Sequence, residues 1–140
     1  MFVFDFSVGS VLQFQKFHDD LSLNQDSNLI ERLEVRNIPD THTLKRIPPL
    51  NLKNIKELVL EFDKNYFDLI KEQESFDFSE WTGLKALEMS DAQNEPSCFI
   101  CPQVKEFVFY NLKLLSFDEV LKFIEANCQG QGRRDVFFGN

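Results

Sequence analysis

Four short segments of the chain share one pattern: "IERLEV" (Ile30 to Val35), "IKELVL" (Ile55 to Leu60), "LKALEM" (Leu84 to Met89) and "VKEFVF" (Val104 to Phe109). Each reads apolar, polar, variable, apolar, variable, apolar. The last two apolar positions are two apart, the alternation that puts two side chains on one face of a strand. The first apolar residue stands three earlier, outside that alternation, and must enter from the preceding turn. A unit of this kind cannot bury its apolar flank alone, so stacked neighbours have to seal it. The pattern therefore requires Leu33, Leu58, Leu87 and Phe107 to be neighbours in one interior.

The segments begin 25, 29 and 20 residues apart, within the roughly 20–29 residue period of L-x-x-L-x-L repeats. The expected fold is α/β: a small, irregular leucine-rich-repeat-like solenoid with a short, curved, mostly parallel sheet, in one domain over residues 1–140. An ordinary α/β domain with four amphipathic strands is the alternative. "FVFDF" (Phe2 to Phe6) fits as an opening strand and "RDVFF" near the end as a weaker fifth copy. Between the strands, "SFDEVLKFIEANC" is the clearest helix. Ser116 caps its first turn and Glu119 completes a capping box. Phe117, Val120, Leu121 and Ile124 fall on one face, and Gly130 is the expected stop. "DKNYFDLIKEQ" suits a shorter helix, whereas "GSVLQFQKFHDDL" fits helix and strand alike. Pro48, Pro49, Pro96 and Pro102 punctuate loops.

Sixteen phenylalanines against one tryptophan and two tyrosines suit core filling, because Phe brings no hydrogen-bonding demand. A net charge of −8 repels phosphate and anionic lipid, which disfavours nucleic-acid and membrane partners. No apolar run approaches the roughly 18 residues of a membrane span. The apolar opening lacks a basic leader and contains Asp5, so it does not read as a secretory signal. Three cysteines, an odd number, point to a reducing intracellular compartment, cytoplasm or nucleus, rather than a disulfide scaffold.

Two of those cysteines stand in "PSCFICPQ" (Pro96 to Gln103). A structural zinc site needs four ligands, and the remaining supply, Cys128, His18 and His42, has no recognised spacing. A redox motif wants its first cysteine at a helix N-terminus, whereas Pro102 and a strand follow here. The apolar Phe99 and Ile100 suit a segment buried against a neighbouring repeat. Cys98 and Cys101 are expected to be structural thiols, with a small metal-binding or redox protein built on them as the rival. "FHDD" reads as a solvated helix end. The acidic stretch "IKEQESFDFSEW" reads as a surface loop, one that gains contact potential if Trp81 is exposed. Arg133 and Arg134 read as a solvated turn. Neither a Gly-rich phosphate loop nor a G-x-S-x-G elbow is present. Catalytic residues, metal ligands and cofactors are therefore not expected, and the chain does not read as an enzyme.

From "FSEWTGLKALEM" onward, the order of features resembles the C-terminal F-box-associated (FTH) region of nematode F-box proteins. A Trp-containing segment at Trp81 leads into the strand at Leu84 to Met89. The strand at Val104 to Phe109, the helix from Ser116 and the end "RRDVFF" follow. "NLKNIKELVLEF" looks like that family's earlier strand, so the resemblance spans roughly residues 50–140. It implies a leucine-rich-repeat-like module that selects a protein for ubiquitination, with no catalytic residues to carry over. An F-box helical segment is not evident near the N-terminus. A terminal piece of a longer repeat protein, with a structural role, is a further alternative.

In a stacked sheet, the residues between the core positions form the contact surface. Those candidates are Glu34, Arg36, Val59, Glu61, Glu88, Ser90, Val108 and Tyr110. Acidic positions on one face favour a basic protein partner. Val59 and Val108 are apolar where a solvated face should be polar, which implies a covered sheet or a sticky patch.

Overall fold

The computed structural model describes residues 2–7, 13, 16, 30–39, 54–63, 75–92, 96–112, 116–128 and 133–139. Its main element is a six-stranded sheet of β1 (Phe2–Asp5), β2 (Arg32–Ile38), β3 (Glu57–Phe62), β5 (Ala86–Ser90), β7 (Glu106–Tyr110) and β8 (Asp135–Gly139). These strands lie side by side in chain order, and every pairing is parallel. The short strands β4 (Phe76–Asp77) and β6 (Phe99–Ile100) form a second parallel pair within the connections. A helix, α1 (Phe117–Asn127), lies between β7 and β8. The architecture among the described residues is α/β with parallel sheets.

The recurring sequence pattern sets the register. Leu33 pairs with Leu58, Leu58 with Leu87 and Leu87 with Phe107. The next inward row runs Val35, Leu60, Met89, Phe109 and Phe138. Ile30, Ile55, Leu84 and Val104, the out-of-phase apolar residues, are all buried as well. Each of the four segments thus inserts three side chains into the common core, worth about 1.5–3 kcal/mol apiece when fully buried. The entry to each strand is equally regular. Glu31 O accepts from the N–H groups of Lys56 and Glu57, Lys56 O from those of Lys85 and Ala86, and Lys85 O from those of Lys105 and Glu106. Both edge segments anticipated from "FVFDF" and "RDVFF" join this sheet as β1 and β8.

Strand exits repeat too. Asn37, Asp91 and Asn111 each stand four residues after the first inward strand residue, and each has a positive φ (54°, 60° and 52°). Asn and Asp tolerate this left-handed conformation better than other non-glycine residues. In β3 the equivalent position is Phe62, which continues the strand and pairs with Ile38 across a bulge.

Helix α1 begins as its sequence anticipates, with Ser116 Oγ accepting from Glu119 N at 3.2 Å, and its C-cap is Cys128. Its orientation differs from the expected one. Phe117, Leu121 and Ile124 face solvent, at 78%, 44% and 40% exposure, and the buried residues are Glu119, Phe123 and Asn127. Phe123 supplies the hydrophobic contact, edge-on to Phe107 and Phe109 at centroid distances of 4.9 and 5.2 Å. The two polar residues are compensated from the neighbouring connection. Ser97 Oγ donates to Glu119 Oε2 at 2.7 Å. Asn127 Oδ1 accepts from Cys101 N at 2.7 Å, while its Nδ2 donates to Phe99 O at 2.9 Å. A buried polar group so satisfied costs little, and it fixes the helix against β6 more specifically than an apolar stripe would.

The acidic stretch before Trp81 also differs from a plain surface loop. "FDF" supplies β4, with Phe76 stacked on Phe99 at 5.4 Å. Trp81 is buried, edge-on to Phe78. Gln103 Nε2 holds that turn by donating to Phe78 O and Trp81 O. The helix anticipated after Asp63 lies outside the described residues, as do His18, His42, Pro48, Pro49 and Gly130. Of the ambiguous "GSVLQFQKFHDDL", Gln13 and Lys16 are described, and both are helical.

Candidate protein-binding face

Because inward and outward residues alternate, the pairing that builds the core also builds three outward rows. The central row is Val3, Glu34, Val59, Glu88, Val108 and Phe137. One flank carries Arg32, Glu57, Ala86, Glu106 and Asp135. Along the other, Asp5 pairs with Arg36, and past the bulge in β2 Glu61, Ser90, Tyr110 and Gly139 are in register with one another. All eight residues selected from the sequence fall in the central row or this last one. The flank from Arg32 to Asp135 was overlooked, although the same alternation makes it legible one residue before each first core position.

Towards β1 and β2 the outward charges satisfy one another. Glu34 is only 7% exposed. Arg32 Nη2 meets its Oε1 at 3.0 Å and Arg36 Nη2 its Oε2 at 2.7 Å, each guanidinium adding an Nε contact at 3.2 Å. Desolvation would raise the Glu34 pKa, but the hydrogen bonds from Arg36 and Arg32 outweigh it and hold the carboxyl below its ordinary range. Arg32 also donates to Glu57 Oε2 at 2.6 Å, and Asn37 Nδ2 to Asp5 Oδ1 at 2.8 Å. Glu34 is therefore tied up internally, although the sequence pattern suggests a free acidic contact.

Towards β5, β7 and β8 the same rows behave differently. Glu88 and Glu106 make no hydrogen bond or ion pair among the described residues. Val108 is half-buried, and neither Val59 nor Val108 is fully covered. Tyr110 and Phe137 are exposed, with their rings edge-on at 6.0 Å. Beneath them, Gly139 leaves no spare room, since a Cβ there would meet Tyr110 Cδ1 at 2.8 Å and Phe137 Cε1 at 2.9 Å. Ala86, the smallest side chain in its row, floors a depression of about 160 Å³ between Glu57 and Glu106. A broader one of about 560 Å³ adjoins it over Val108 and Phe137.

The cysteines lie away from this face. Cys98 and Cys101 are buried on either side of β6, and none of the three cysteines forms a disulfide. Burial, helped by the nearby charge of Asp77, pushes the Cys101 thiol far above its ordinary pKa, the opposite of an activated thiolate. Among the described residues no group of three His, Cys, Asp or Glu side chains is placed to hold a metal. Also among the described residues, no helix is long and apolar enough to cross a membrane. Arg133 pairs with Asp135 at 2.9 Å, and Arg134 donates to Pro102 O. Comparison with protein-family models, curated proteins and solved structures finds no match to this chain.

Proposed function

We propose that this chain is a protein-recognition module of leucine-rich-repeat-like, solenoid character, binding through the outward face of its parallel sheet rather than performing chemistry. The observation that carries this reading is the regular outward array, on which unpaired carboxylates and exposed apolar side chains adjoin. Exposed apolar side chains grouped on one face are the ordinary mark of an interaction surface. The order of strands and helix in the second half extends the reading to substrate selection for an F-box-type ubiquitin ligase. Three cysteines without a disulfide suit a reducing intracellular setting.

Affinity purification with mass spectrometry tests it, using the wild-type chain beside Val108→Ser/Tyr110→Ala. Partners captured by the wild type and lost by the double variant support the face, provided circular dichroism shows both proteins folded. Recovery of the cullin-ligase adaptor supports the ligase role, and capture indifferent to the substitutions removes the face. A second reading, an end piece of a longer array or of an oligomer, is favoured by half-buried Phe4 at one sheet end and half-buried Val136 and Phe138 at the other. Its test is the molecular mass in solution, where self-association is the expected result.

A further inference from the structure

Within the proposed recognition role, on which this step rests, the outward face offers one place where a partner's chemistry can be read. Glu57, Ala86 and Glu106 are register neighbours on successive strands, about 4.8 Å apart from one strand to the next. Glu88 follows Ala86 on the same face, about 6.6 Å along β5. Three carboxylates thus surround an alanine, with Val59 and Val108 flanking Glu88 in the central row. One of the three, Glu57, already has a cation in Arg32. The arginines that face this region from β2 are engaged with Glu34, and Arg133 is engaged with Asp135. Glu88 and Glu106 lie beside apolar surface and make no ion pair among the described residues; Arg134, which shares the broader depression with Glu106, donates to the Arg133 and Pro102 carbonyls instead.

We infer that this half of the face receives a cationic side chain, arginine or lysine, from an extended segment of a partner protein. The aliphatic stem lies along Ala86 and Val108, since such stems pack on apolar surface while their charge stays at a polar rim. The charge sits between Glu88 and Glu106. An apolar neighbour two residues along the segment reaches Val108 and Phe137, because alternate residues of an extended chain share a face. A second copy of this chain is a poor occupant, because two molecules at net charge −8 repel each other.

The experiment titrates the ¹⁵N-labelled full chain with three blocked tripeptides that differ only at the first residue: acetyl-Arg-Ser-Leu-amide, which carries its leucine two residues from the arginine, and its norleucine and glutamate counterparts. The expected result is that the arginine peptide alone shifts the amide resonances of Glu88, Glu106, Val108 and Phe137. Its binding weakens as salt rises. Glu88→Gln/Glu106→Gln lowers its affinity about tenfold, the combined effect of two exposed ion pairs. Equal binding of the norleucine peptide, shifts confined to Arg32, Glu34 and Arg36, or no shift with any peptide would overturn the inference. Failure here while Val108→Ser/Tyr110→Ala still abolishes partner capture removes the cationic occupant alone. Failure of both removes the recognition face with it.

Discussion

The two ends of the outward sheet face are built on one register, yet their charges have opposite fates. On β2, Glu34 lies between Arg32 and Arg36, two residues before and after it on the same strand face, and four short contacts lock the three together. On β5, Glu88 occupies the same row, but the corresponding flanking positions are Ala86 and Ser90. One glutamate is a structural group and the other is available. The difference comes from the residues at ±2, because in a strand those are the same-face neighbours close enough to answer a charge. An acidic residue on such a sheet face is therefore free to meet another molecule only when its same-face neighbours leave it unanswered.

The largest expected effect breaks the support under the open end. Phe123→Ala removes the fully buried ring that packs on Phe107 and Phe109 and should cost about 3–5 kcal/mol in denaturant unfolding. Phe117→Ala, on the same helix but facing solvent, should stay within about 0.5 kcal/mol. Next, Asn127→Ala should cost about 2–3 kcal/mol, because it strands the buried Cys101 N–H and Phe99 carbonyl. Faster hydrogen exchange at Cys101 would accompany that loss.

The pair Glu34→Ala and Glu88→Ala sharpens the comparison itself. The first should cost about 1–2 kcal/mol, at the low end for charged hydrogen bonds because both arginines are part exposed. The second should stay within about 0.5 kcal/mol. Equal costs would erase the distinction between the two ends. Acid unfolding tests the same point. The folded pKa of Glu34 lies below its ordinary value of 4.5. Its stabilisation is therefore complete above that value and is lost as the pH falls through the folded pKa. In Glu34→Gln that part of the acid sensitivity should disappear from the unfolding profile. The smallest effect is expected from Gly139→Ala, whose Cβ would press on the Tyr110 and Phe137 rings. Both rings are exposed and can turn away, so the cost should be below about 1 kcal/mol, with a changed Tyr110 fluorescence.

Local sequence sufficed for everything that depends on strand periodicity. The alternation and the out-of-phase apolar residue specified which side chains enter the core, and hence the neighbours Leu33, Leu58, Leu87 and Phe107. They also specified which positions face outward, and Ser116 marked where the helix begins. The Asn or Asp four residues after the first core position recurs in three of the four segments and was not read from the sequence, since Phe62 breaks it in β3. Tertiary structure alone decided which helix face turns inward, since the partners of Glu119 and Asn127 stand 22 to 28 residues away, on Ser97, Phe99 and Cys101. It likewise decided that "FDF" becomes a strand, because β4 exists only by pairing with β6. A hydrophobic period is a property of the segment that carries it. The compensation of a buried polar group belongs to whatever the fold brings opposite, and no local window contains it.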